Sequence, residues 1–93
     1  MPASALGRSL VRLVSVRHEQ HGPVIGEAVH WNDDEGWGSL ASEDIDGEVW
    51  AHFSNIVGLG YRTLRPGARV RFTYETPGQD GYPHRAVLIE TDV

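Results

Sequence analysis

Short apolar runs alternate with clusters of turn-forming residues from Val24 onward, and this alternation constrains the fold more than any other feature of the sequence. The first run, 24–31, ends in a polar cluster at 32–36 that contains Asn, Asp and Gly. The next two runs, 37–42 and 48–53, flank a second cluster of the same kind. Runs of this length bounded by such residues are typical of β-strands joined by tight turns. We therefore predict a meander of three antiparallel strands over residues 24–53.

Two more strands complete the predicted sheet. Residues 68–75 alternate apolar side chains with Arg, Thr and Glu, which is the period of a strand with one buried face. A Pro-Gly turn at 66–67 precedes this strand, and a loop at 76–81 leads into a fifth apolar run at 82–91. Closing five strands into a barrel removes the exposed edges of an open sheet. We predict an all-β fold, a five-stranded antiparallel barrel.

The first 22 residues differ from the rest, with three arginines against one acid. Apolar side chains between residues 6 and 14 would share one face of a short helix, but an isolated helix of this length is marginal in water. A flexible tail, a docked helix and a basic arm that contacts phosphates therefore all stay open. Gly22-Pro23 is typical of a break in regular structure. We place the domain boundary there, with a short N-terminal extension at 1–22 and one domain at 23–93.

Composition excludes several classes of protein. There is no cysteine, which rules out disulfides and thiolate metal sites and fits a cytoplasmic protein. No apolar run approaches the ~20 residues of a membrane span, so we expect a soluble protein. His18 and His21 lack further ligands at a recognisable spacing, so we predict neither a metal nor a cofactor. No phosphate-binding loop, carboxylate pair or serine with a suitably spaced base is present, so we do not predict an enzyme. Nothing demands a dimer, and we expect a monomer.

Aromatic side chains on one face of the third strand point to a function. Trp50 and His52 alternate with Val49 and Ala51, so the two pairs lie on opposite faces. If the core takes Val49 and Ala51, then Trp50 and His52 face outward, and exposed aromatic patches usually mark binding sites. Aromatic rings stack on unpaired bases at roughly 1 to 3 kcal/mol per base. The pattern therefore predicts a surface that binds single-stranded nucleic acid.

Several spaced motifs resemble the cold-shock domain family. In chain order they are GEAVHWN at 26–32, EGWGSL at 35–40, VWAHFSNI at 49–56, GYRTL at 60–64 and GARVRF at 67–72. The resemblance covers residues 24–89. It implies an OB-fold barrel that binds single-stranded RNA or DNA on its second and third strands.

The resemblance also implies a set of site residues, which are rings, histidines and one arginine. Carried across position by position, this predicted platform is His30, Trp31, Trp37, Trp50, His52, Phe53, Tyr61 and Arg62. Arg62 would contact a phosphate, and the glycines at 36 and 38 would let bases and backbone approach closely. Trp31 and Phe53 have an alternative role in the barrel wall, and Tyr61 has one as a loop anchor.

Departures from the family pattern all weaken the attraction for phosphates. Val29 and Glu35 stand where the family has lysines, and Ser39 stands where it has a second phenylalanine. Residues 23–93 hold five arginines and twelve acids, a net charge of −7. We predict modest, stacking-led affinity with low sequence specificity, a shallow salt dependence and an RNA-chaperone-like role. The alternative is a diverged domain that uses the aromatic patch to bind a protein.

Overall fold

Five strands close into a barrel in the computed structural model, which describes residues 19–58 and 63–93. The elements are β1 (Glu19–Asn32), β2 (Trp37–Ala41), β3 (Val49–His52), a 3₁₀ turn (Phe53–Asn55), β4 (Arg69–Thr76) and β5 (His84–Glu90). Around the barrel the strands follow the order β1-β2-β3-β5-β4, and β4 pairs with β1 to close it. The predicted all-β, five-stranded barrel is confirmed. Within the described part of the chain, no helix is long and apolar enough to cross a membrane.

The sequence predicts a purely antiparallel barrel, whereas one of the five ladders in the structure is parallel. Strand β3 pairs in parallel with β5, whereas the other four ladders are antiparallel. The reason is geometric, because an odd number of strands cannot alternate in direction all the way around a closed ring. The antiparallel ladders make β1, β3 and β5 run in one direction and β2 and β4 in the other, so the neighbours β3 and β5 are parallel.

Strand β1 begins at Glu19, ahead of its predicted start at Val24. Its first residues pair with β4, and the register shifts between His21 and Val24. Gly22-Pro23, which we interpreted as a break, is therefore an irregularity within a strand, a place where a residue without an amide hydrogen is tolerated. Strand pairing thus crosses the predicted domain boundary. The extension at 1–22 remains a prediction, because its first 18 residues lie outside the described ones.

Buried apolar side chains from all five strands, and two from the segment between β3 and β4, fill the barrel. They are Ala28, Leu40, Val49, Ala51, Ile56, Leu64, Val70, Phe72, Ala86 and Ile89. The alternation predicted for strands three and four is confirmed, since Val49 and Ala51 are buried in β3, and Val70 and Phe72 in β4. The opposite face of β3 is thereby left on the outside of the barrel.

Strand β5 breaks this alternation. Thr73 pairs with Leu88 and Tyr74 with Ala86, so Val87 is an extra residue that bulges from the ladder. A bulge shifts the inward face by one residue. Consequently Ala86 and the residue three positions later, Ile89, are both buried, while Leu88 is 49% exposed.

Candidate nucleic-acid interface

Strand pairing places the predicted aromatic residues in two rows on the outer face of β1, β2 and β3. The first row is Asn32, Trp37 and His52, and the second is His30, Ser39 and Trp50. Between these rows lie Gly38 and Ala51, which are paired and buried. The alternation of the strands therefore directs the rings of both rows away from the core.

On β3, the rings of Trp50 and His52 stack on each other. Their centroids lie 5.9 Å apart with an interplanar angle of 17°. His52 also contacts Phe53, with centroids 4.5 Å apart and a tilt of 43°. Trp50 and His52 thus share a face, as the sequence predicts, and with Phe53 they form a continuous strip of rings.

Trp37 connects this strip to rings from other elements. Its centroid lies 5.4 Å from that of His30 on β1, and it pairs across the ladder with His52. We call His30, Trp37, Trp50, His52 and Phe53 the ring cluster. It contains five of the eight residues of the predicted platform.

Tyr82, which is not part of the predicted platform, also contacts Trp37. The two centroids are 6.3 Å apart at an interplanar angle of 72°, an edge-to-face contact. Tyr82 lies in the loop between β4 and β5, which the chain reaches about thirty residues after the ring cluster. Its only signal in the sequence is an aromatic residue at the end of a polar, Gly-rich loop.

Hydrogen bonds fix the orientation of His52. Its Nδ1 accepts the backbone N–H of Ser54 at 3.2 Å and lies 2.8 Å from the Ser54 hydroxyl. Its own backbone N–H donates to the Asn55 side-chain oxygen at 3.0 Å, which completes a capping box on the 3₁₀ turn. Because Nδ1 accepts an amide hydrogen, the neutral ring carries its proton on Nε2. The 3₁₀ turn that ends β3 therefore holds the ring in a defined position.

Gly38 lets backbone and a ring of the protein approach closely, as the sequence predicts for the backbone, while the approach of a base stays a prediction. A Cβ atom there would lie 2.5 Å from Cε3 of Trp31 and would collide with the carbonyl oxygen of His30. Trp31 is half-buried and packs against the core. Trp31 thus contributes to the barrel wall, and its role as a site residue stays a prediction.

Gly36 leaves space for the ring of Phe53. It has a φ of +77°, and a Cβ atom there would lie 2.9 Å from Cδ1 of Phe53. The backbone N–H of Phe53 donates to the Gly36 carbonyl oxygen at 2.8 Å. Phe53 nonetheless remains 44% exposed, so it contributes to the surface and not to the core.

Acidic residues of the turn between β1 and β2 interact with neighbouring donors. Glu35 accepts a hydrogen bond from Nε1 of Trp37 at 2.7 Å, and Asp33 accepts one from the Thr63 hydroxyl. The acidic rim formed by this turn therefore contacts the ring cluster through Glu35. Its carboxylates hold Trp37 and Thr63 as well as adding negative charge.

One arginine on β4 and one on β5 already have carboxylate partners. Arg71 bonds to Glu90 at 2.8 Å. Arg85, which pairs with Trp50 across the parallel ladder, bonds to Glu75 at 2.5 Å. An open groove of about 470 Å³ continues from Trp50 onto β5, and it is lined by Trp50, His52, Ser54, Asn55, Glu75, Arg85, Ala86 and Val87. The positive charge nearest to the ring cluster on β5 is thus largely neutralised.

Two residues of the predicted platform, Tyr61 and Arg62, lie outside the described residues. Their predicted roles as a ring and a phosphate contact stay predictions. Over residues 19–58 and 63–93, no group of three or more histidines, aspartates and glutamates is arranged to hold a metal ion.

Comparison with known proteins gives consistent matches over the barrel. The family model described as 'Cold-shock' DNA-binding domain matches residues 26–88. Cold shock-like protein CspD of Vibrio cholerae is 42% identical over 61 residues, which cover 64% of this chain and 79% of the relative. Cold shock protein ScoF of Streptomyces coelicolor is 43% identical over 54 residues, covering 57% and 79%. The major cold shock protein of Micrococcus luteus is 40% identical over 57 residues, covering 61% and 79%.

Proposed function

The chain belongs to the cold-shock domain family, a family of nucleic-acid-binding domains, and we propose that it binds single-stranded RNA or DNA by stacking unpaired bases on the ring cluster. The observation that carries this proposal is the shared outward face of Trp37, Trp50 and His52, which lie side by side on β2 and β3. Each base stacked on such a ring contributes roughly 1 to 3 kcal/mol. A few stacked bases are enough for measurable binding.

Stacking rather than charge would supply most of the affinity. Phosphate contacts by Lys and Arg dominate non-specific binding in basic proteins, but here Arg71 and Arg85 are paired with carboxylates and Glu35 borders Trp37. We therefore propose modest affinity with a shallow dependence on salt.

Low sequence specificity follows from the same geometry. Base edges are read by hydrogen-bonding groups, whereas every base has a face on which a ring can stack. Two such groups in the ring cluster, Nε1 of Trp37 and Nδ1 of His52, already have partners within the protein. A domain that traps unpaired bases without reading them would act as an RNA chaperone. We propose this role for a cytoplasmic, monomeric and non-enzymatic protein.

A fluorescence titration tests the proposal. Tryptophan emission is followed while a short oligothymidine or oligouridine is added at low salt, with a duplex of the same length as the control. We expect emission to fall with the single strands, because bases cover Trp37 and Trp50, and to change much less with the duplex. Unchanged emission at high micromolar concentrations of both single strands would refute the proposal.

The acidic rim favours a second candidate function, in which the same surface binds a protein. Glu35 contacts the ring cluster, Asp33 and Asp34 precede it in the same turn, and negative charge there repels a phosphate backbone. A rim of this kind would suit a basic partner instead. A failed titration with both oligonucleotides would favour this candidate.

A further inference from the structure

Ser39 is buried although it belongs to a row on the outer face of the sheet. It lies between His30 and Trp50 in that row, yet none of its surface is exposed. Its hydroxyl has no hydrogen-bond partner among the described residues. Side chains of the protein therefore cover this position from outside, and they do so without bonding to the hydroxyl.

The path of the chain indicates that Tyr82 contributes to this cover. The chain enters β5 beside Val49, because His84 pairs with Val49, and Tyr82 comes two residues earlier. Trp37 lies at the opposite end of β3, where it pairs with His52. For its ring to contact Trp37, Tyr82 must therefore extend across the row that contains Ser39.

Several contacts hold the loop that carries Tyr82. Its backbone N–H donates to the Gln79 carbonyl oxygen at 2.9 Å. His84 lies 2.9 Å from the Asp46 carbonyl oxygen through Nε2, and 2.8 Å from the Thr76 hydroxyl through Nδ1. The first residue of β5 is thus joined to the last residue of β4 and to the loop between β2 and β3, which holds the end of the loop next to Tyr82. A ring held in this way loses little conformational freedom when a ligand binds.

We propose that Tyr82 is a base-stacking residue, which supplies from the β4–β5 loop the ring that the position of Ser39 lacks. The inference rests on the proposed function, since it adds one ring to the same interface. It explains how the aromatic surface stays continuous although the second outward-facing residue of β2 is Ser39. It also enlarges the interface beyond β2 and β3, toward the loop that precedes β5.

Substitutions at Tyr82 test this role by oligothymidine binding. We expect Tyr82→Ala to weaken binding roughly 5- to 150-fold, the range that corresponds to one lost stacking contact. Tyr82→Phe keeps the ring and is expected to bind within about twofold of the unmodified protein. The matched control is Ile25→Ala, which removes an exposed apolar side chain on the β1–β4 ladder and should leave binding unchanged. Thermal unfolding of each variant reports whether the barrel is intact.

Photocrosslinking gives a readout that a purely structural role would not produce. Irradiation of the protein with an oligonucleotide containing 5-iodouracil, followed by peptide mass spectrometry, is expected to give an adduct on Tyr82. If the unmodified protein binds and crosslinks through Trp37 and Trp50 but never through Tyr82, and Tyr82→Ala binds equally well, the inference is wrong while the proposed function stands. If the unmodified protein does not bind, both are wrong.

Discussion

Substitutions of Glu35 test how strongly negative charge lowers the affinity of the ring cluster for single-stranded nucleic acid. Its carboxylate accepts the hydrogen bond from Nε1 of Trp37 at 2.7 Å, so a nucleotide stacked on Trp37 brings its phosphate close to a negative charge. A phosphate about 6 Å from this carboxylate is repelled by about 0.7 kcal/mol in water. Removing that repulsion should tighten binding about threefold at low salt, and replacing it with an equal attraction should tighten binding about tenfold.

Two substitutions separate the charge of Glu35 from its hydrogen bond. Glu35→Gln removes the charge and retains an acceptor for Trp37, so we expect about threefold tighter binding. Glu35→Lys also places a cation where the family has a lysine, so we expect about tenfold tighter binding and a salt slope steeper by about 0.7 for one more neutralised phosphate. The assay is fluorescence anisotropy with labelled oligothymidine between about 50 and about 200 mM salt.

Glu43→Lys is the matched control, because it makes the same change in net charge at the other end of β2. That strand has five residues, which span about 16 Å at about 3.3 Å per residue. This separation exceeds the Debye length of about 10 Å at 0.1 M salt, so the control should change affinity little. Equal or weaker binding by both Glu35 variants would refute the reasoning, and equal gains by Glu35→Lys and Glu43→Lys would show that only net charge matters.

Three further substitutions test the site and its support. Gly38→Ala should destabilise the barrel by about 1 to 3 kcal/mol in urea unfolding, because the new Cβ collides with the His30 carbonyl oxygen; an unchanged midpoint would contradict this. Trp50→Ala should weaken oligothymidine binding roughly 5- to 150-fold with the barrel still folded, and unchanged affinity would exclude a stacking role for this ring. His84→Ala should cost about 1 to 3 kcal/mol of stability, because it removes a bond to the Asp46 carbonyl oxygen; unchanged thermal unfolding would show that this bond contributes little.

The sequence predicts the fold well where the period of a strand is undisturbed. The sequence of β4 alternates without interruption, and its inward residues Val70 and Phe72 are correctly expected in the core. Strand β5 is predicted less well, because the bulge at Val87 buries Ala86 and Ile89 together. A bulge of this kind is determined by how the partner strand fits when the barrel closes, which periodicity in a single strand does not record.

In the candidate site, too, contacts set by local geometry are predicted from the sequence and long-range contacts are not. Trp50 and His52 are two residues apart on one strand, so their shared face follows from local geometry alone. The contact between Trp37 and Tyr82 joins residues 45 positions apart, and it depends on the path of a loop that no local pattern specifies. Close approach of other atoms to the glycines at 36 and 38 is expected from the sequence, but the rings that use this space, Phe53 and Trp31, are not specified by a local pattern.

The hydrogen bond between Glu35 and Trp37 links the two properties that determine binding at this surface. The carboxylate fixes the indole ring, and a ring held in its binding orientation loses less entropy when a base stacks on it. The same carboxylate repels the phosphate attached to that base, and salt screens this repulsion. The family has lysines at the positions of Val29 and Glu35, and on such a surface added salt weakens an attraction for phosphate. Here added salt also weakens the repulsion from Glu35. The two effects of salt oppose each other, so the proposed affinity should depend less on ionic strength than on the number of rings that bases can cover.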